Sequence, residues 1–241
     1  MEKLIIGSRG SKLALKYAEI AKKAFLKELD IEIEIKKITT GGDLVLDRRT
    51  SEIGGKGEFI KNIEKELLNK NIDVAVHSLK DVPSVKTKGL RIECFLKRND
   101  PQEVLINKES LTFDKIKKNS VIGTSSLRRE FQLKHLRPDL NFKLIRGNID
   151  TRIKKLDEDQ YDSIILAKAG LMSLALENRI SEVFECKKIV PPAGQGTIVI
   201  QSREDDDKLN SILSKINHFE TTIEAKVERK SIRVLEGDCN T

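Results

Sequence analysis

Strand and helix patterns alternate along almost the whole chain, and one strand is left without a neighbour. Residues 3–8 read as a buried strand ending in a turn, and Ser11 then precedes a helical stripe of Ala14, Ala18, Ala21, Phe25 and Leu29. Ile31, Ile33 and Ile35 alternate with charged residues as a second strand, and a helix over about 58–70 and a strand at 72–76 follow. Such alternation predicts parallel α/β units. Asn99-Asp100-Pro101 marks a boundary, because proline ends regular structure there. A second block follows, with strands near 103–106, 120–124, 141–145 and 162–167 and helices between them. After a break at 190–196 come one more strand, 197–200, and two helical patterns running to about 234. That strand has no partner close in sequence, so it is expected to return to the first block. The chain then forms two lobes, 1–98 with 197–217 and 101–191, joined by paired crossovers and separated by a cleft. In α/β sheets ligands bind at the carboxyl ends of strands.

Composition narrows what the cleft can serve. The chain has 241 residues, 38% hydrophobic and 34% charged, which is enough for two modest domains with a real core. No apolar run approaches the roughly 20 residues that span a bilayer, and the amino-terminal apolar stretch is too short for a signal sequence. Three cysteines, Cys94, Cys186 and Cys239, have irregular spacing that fits neither a disulfide framework nor a zinc site, so a cytoplasmic location is expected. The net charge of +7 is spread over lysine-glutamate helical surfaces, and aromatics are only 4%. Neither a basic stripe nor a stacking surface for nucleic acid is visible.

The chemistry concentrates where strands end and helices begin. Gly7-Ser8-Arg9-Gly10-Ser11, Gly123-Thr124-Ser125-Ser126-Leu127-Arg128-Arg129 and Arg146-Gly147-Asn148-Ile149-Asp150-Thr151-Arg152 each combine hydroxyl or amide, glycine and arginine. Helix N-termini offer unpaired N–H groups and a positive dipole end, and arginine forks add selectivity for carboxylate or phosphate. One such turn is ordinary capping by Ser11, Ser125 or Asn148. Three, distributed over both lobes, predict an anion-binding cleft. His77-Ser78-Leu79-Lys80-Asp81-Val82-Pro83 leaves a strand and is cut short by proline, which points Lys80 and Asp81 into that cleft. A carboxylate among cations stays ionised and can stabilise a developing cation or pass a proton. His77 reads as a structural strand-end residue, and Lys56 in Gly54-Gly55-Lys56-Gly57 as a lid or loop charge. Cys239, after Leu235-Glu236-Gly237-Asp238, is a thiol on a glycine-flanked tail.

Taken together and in order, these motifs resemble the porphobilinogen deaminase (hydroxymethylbilane synthase) family of tetrapyrrole biosynthesis, from Ile5 to Cys239. The resemblance implies a transferase with two lobes like those of periplasmic binding proteins. It also implies a third, smaller α/β domain, of which 218–241 would be only the start. The family condenses four porphobilinogen molecules head to tail, losing ammonia at each step, on a dipyrromethane cofactor joined to a cysteine as a thioether; here that cysteine is Cys239. Matching motifs make Asp81 the catalytic carboxylate that stabilises charge on pyrrole nitrogens. Arg9, Ser11, Lys80, Ser126, Arg128, Arg129, Arg146 and Arg152 would bind cofactor and substrate carboxylates, and Lys56 would belong to a mobile flap. A monomer acting on a small molecule, away from membranes, is implied.

Adjacent helical residues point about 100° apart, so Arg128 and Arg129 are expected to serve different carboxylates or different rings. Three departures stand out. The chain stops at Thr241, so the third domain is largely missing. Met172 and Ser173 stand where the family often has a basic residue, with Lys168 a possible replacement, and Asp238 replaces a common glycine beside the anchor. The alternatives are a two-lobed carboxylate-binding protein and an inactive remnant of the enzyme.

Overall fold

The computed structural model describes residues 2–40, 57 and 60–235. The expected flap residue Lys56 and the expected anchor Cys239 lie outside the described residues. In chain order the described strands are β1 (Lys3–Arg9), β2 (Glu32–Ile38), β3 (Val74–Ser78), β4 (Leu90–Phe95), β5 (Glu103–Ile106), β6 (Val121–Gly123), β7 (Asn141–Lys143), β8 (Ser163–Ala167), β9 (Glu182–Phe184) and β10 (Ile198–Arg203). The α-helices are α1 (Lys12–Phe25), α2 (Lys61–Leu68), α3 (Leu127–Leu136), α4 (Ile149–Asp157), α5 (Lys168–Ser173), α6 (Asp207–Ile216) and α7 (Phe219–Val234). None of them is long and apolar enough to cross a membrane.

These strands form two five-stranded sheets, ordered β2-β1-β3-β10-β4 and β7-β6-β8-β5-β9. The late strand β10 does return to the first block, pairing with β3 and β4. Both sheets are mixed, however, where parallel units were expected: β10 runs antiparallel to its neighbours, and so does β5. The reason is the crossover. A chain arriving from the other sheet enters at the edge where the parallel strands end, so its first strand must run back the other way. The amino ends of β5 and β10 therefore sit at the edge that carries the carboxyl ends of β1, β3, β6 and β8. Strands β4 and β9 have no clean alternation and were not anticipated. Between β5 and β6 the expected helix is only a 3-10 turn, Phe113–Lys115.

Apolar side chains cover both faces of each sheet. Phe25, Ala18 and Ala21 of α1 pack on Leu4, Ile6 and Val76, while Ile63 and Leu67 of α2 pack with Ile72, Ala75 and Leu90 on the opposite face. In the second sheet Phe113, Leu133 and Phe184 cover one face and Ile153, Leu156 and Leu171 the other. Burial of this kind is worth about 1.5–3 kcal/mol per large aliphatic or aromatic side chain.

The two crossovers touch. Asn99 N–H donates to Gly196 O at 2.8 Å, and Gly196 takes a φ of +82°. A Cβ at Gly196 would lie 2.4 Å from Asn99 O, so the approach requires glycine. Helix α7 ties both segments together: Glu228 accepts from Arg98 Nη1 at 2.6 Å and from Gly194 N–H at 2.6 Å. The next residue, Arg229, donates to Val82 O and Pro83 O, and Arg233, a turn further on, to Ser84 O. The same helix thus holds the crossovers and the segment that follows Asp81.

Candidate active-site cleft

Three helix N-termini converge on one cavity of about 790 Å³ between the sheets. At the first, β1 ends at Arg9, and Ser11 caps α1 by accepting from Ala14 N–H at 3.2 Å. At the second, Ser126 caps α3, accepting from Arg129 N–H at 3.4 Å; the cap is Ser126, where Ser125 was expected. The third is α4, preceded by Asn148, whose side chain makes no capping bond. Gly147, at φ +113°, makes the turn into α4, and Arg152 Nε donates back to Gly147 O at 2.7 Å. Capping of this kind is worth about 1 kcal/mol per helix, and it leaves other first-turn N–H groups facing the cavity.

Every described residue proposed from sequence lines this cavity: Arg9, Ser11, Lys80, Asp81, Ser126, Arg128, Arg129, Arg146 and Arg152. Asp81 closes a 3-10 turn, Leu79–Asp81, directly after β3. The lining also includes Lys12, Tyr17, Thr39, Lys155 and Gln195, which sequence reasoning missed. Lys12 pairs with Asp150 at 3.0 Å, linking α1 of one lobe to α4 of the other. Lys168 is not part of the lining; its ammonium is 2.6 Å from Asp100 beside the first crossover. His77 is buried behind the cavity and bonded to Gln201 at 3.0 Å, a structural role.

Eight cationic and two acidic side chains line the cavity. Burial lowers the Lys80 ammonium, against the pull of the Asp81 carboxylate, and Gln195 Oε1 accepts from it at 3.3 Å. Arg152 is brought down to about 10, first by burial and then by the Arg129 and Arg146 charges around it, and stays cationic at neutral pH. The Tyr17 phenol is pushed up to about 12 by burial and by Asp81, so it is neutral.

Arg128 and Arg129 share a partner within the protein. Both guanidinium groups reach Glu103, whose two oxygens accept from Arg128 Nη2 and, at 2.7 Å, from Arg129 Nη2. The Cβ atoms do leave α3 in different directions, but each side chain is long enough to fold back on one acid. Glu103 is fully buried. Burial alone would raise its carboxyl, yet the Arg129 and Arg128 charges outweigh that and hold it below the usual carboxylate range.

A field this positive, in a cleft with planar forks and helix ends, is built for a ligand carrying several carboxylates. A family model described as porphobilinogen deaminase, dipyromethane cofactor binding domain, matches residues 4–211. The chain belongs to the porphobilinogen deaminase family. Porphobilinogen deaminases of Bacillus thuringiensis (strain Al Hakam) and Bacillus cereus (strain B4264) are each 46% identical over 241 residues, covering 99% of this chain and 78% of their own length. The fold has a wider kinship. An ancestral cationic amino acid solute binding protein superposes with a TM-score of 0.54 at 14% identity, covering 98% of this chain and 93% of its own. A putative methionine-binding lipoprotein of Bacillus subtilis gives 0.52 at 13% identity and 92% coverage of both chains. At such identities the likeness extends to the two-lobed architecture alone.

Proposed function

We propose that this chain condenses four porphobilinogen molecules head to tail, with loss of ammonia, into the linear tetrapyrrole hydroxymethylbilane, on a dipyrromethane primer attached to Cys239. The observation that carries the reading is the convergence of the family-matched residues on one cationic cavity, with the Asp81 carboxylate directly after β3. The donor set fits a polycarboxylate cofactor: eight cations, three helix ends, and a buried Arg129 Nε with no hydrogen-bond partner. When bound, the dipyrromethane supplies the pyrrole carbon on which chain growth begins.

In this reading the residues of the chain divide the work. Arg9, Ser11, Lys80, Ser126, Arg128, Arg129, Arg146 and Arg152 hold acetate and propionate groups and so place the pyrrole rings. Asp81 accepts from pyrrole N–H groups and offsets the positive charge that develops there. Lys56 belongs to a flap over the cleft. Residues 1–98 with 197–217 and 101–191 are the two lobes, and 218–241 leads to the anchor. The contact of Arg233 with Ser84 supports this, since it brings the end of α7 beside the Asp81 segment. The protein works as a monomer in the cytoplasm, without nucleic acid or membrane partners.

The test is the intact mass of protein purified from cells that make porphobilinogen. An added mass of two linked pyrrole units, absent in Cys239→Ser, is expected. Asp81→Asn is expected to keep that adduct and lose at least about a hundredfold in turnover. A bare mass together with carboxylate binding identifies a receptor or remnant instead.

A further inference from the structure

Glu103 opens β5, the strand that enters the second sheet from the crossover, and this puts a fully buried acid at the cleft edge. A buried carboxylate is costly unless it is paired and hydrogen-bonded. Here the pairing is complete, with one arginine on each oxygen. Each guanidinium is also held at its other end, Arg129 Nη1 by Ile165 O at 2.9 Å and Arg128 Nη1 by Val190 O. Two fixed points define the orientation of a planar group. An arginine has five N–H donors, so these contacts leave others unused, among them the buried and unpartnered Arg129 Nε.

We propose that Glu103 is a positioning residue for the reaction: it fixes the guanidinium planes of Arg128 and Arg129 before a ligand arrives and offsets part of the cationic field around the growing chain. Orientation settled in advance removes a side-chain entropy cost from each binding step. The offset keeps a polyanion from being held too tightly to advance. This rests on the reading of the cleft given above.

Steady-state kinetics with porphobilinogen, alongside ¹⁵N NMR of arginine side chains, would test it on the unaltered chain, Glu103→Gln and Glu103→Asp. In Glu103→Gln, kcat is expected to fall about tenfold or more with KM unchanged or lower, because the extra positive charge retains substrate that is poorly oriented. Glu103→Asp keeps the charge with a shorter reach and is expected to lose several-fold less. Slowly exchanging Arg128 and Arg129 guanidinium signals should broaden in Glu103→Gln. A kcat within twofold of the unaltered chain, a raised KM at unchanged kcat, or unaltered guanidinium signals would overturn the inference. Should Glu103→Gln not fold, Glu103→Asp decides: lowered kcat with broadened signals supports the role, and no change in either overturns it. If the unaltered chain condenses no porphobilinogen, the proposed function falls, while the guanidinium signals still judge the positioning.

Discussion

His77 shows how a residue next to the proposed chemistry can act on stability instead. Its Nε2–H donates to Gln201 Oε1, and Gln201 Nε2 donates to Glu64, which fixes the ring in a hydrogen-bonded row. Burial lowers its pKa below the ordinary 6.5, despite the opposing Gln201 bond and the Glu64 and Asp81 charges. The unfolded chain therefore takes up a proton here at higher pH than the folded one. Stability should be full above the unfolded value and fall as pH drops through 6.5 towards the lower folded value. Urea midpoints measured from pH 8 to 5 should fall less steeply in His77→Gln; equal slopes would remove His77 from the acid response. Sequence could place His77 at a strand end, and Asp81 after it, because strand pattern and proline are local signals. Glu103 had no such signal: an acid opening a short apolar strand looks like surface until the partner arginines, 25 and 26 positions later, are brought to it.

Elements were legible in proportion to their amphipathicity. The helix α1, with Ser11 as cap and Ala18, Ala21 and Phe25 buried, was visible at once, and so were α6 and α7. Strands β4 and β9 were not, since neither alternates: the burial of β4 reads as a buried end, a partly exposed middle and a buried end. The crossovers were seen as breaks, but their contact was not. Gly196→Ala places a side chain at φ +82° and against Asn99 O, and is expected to cost roughly 2 kcal/mol or more in urea unfolding. A loss below about 0.5 kcal/mol would mean that the two segments can part without strain.

At the scale of the whole molecule, two sheets of the same strand order face each other across the cleft, although no sequence repeat relates them. The first contributes the α1 N-terminus, Arg9, Lys12 and Lys80 to this space and the second two helix N-termini and four arginines, so the field there belongs to neither alone. Affinity for porphobilinogen should accordingly weaken roughly tenfold or more between about 0.05 M and 0.5 M NaCl, as screening shortens the reach of those charges. Titration calorimetry would measure it, and a salt-independent affinity would count against a cationic cleft. The amino-acid sequence by itself determined most of the elements, the return of the last strand, and nine of the residues that line the cleft, because periodicity, capping and motif order are properties of neighbouring residues. Only the tertiary structure decided that β5 and β10 run antiparallel, that Arg128 and Arg129 meet one internal acid, and that Lys168 turns to Asp100. Those outcomes depend on how far long side chains reach and on where a crossing chain enters a sheet, and neither is encoded within a short stretch of residues.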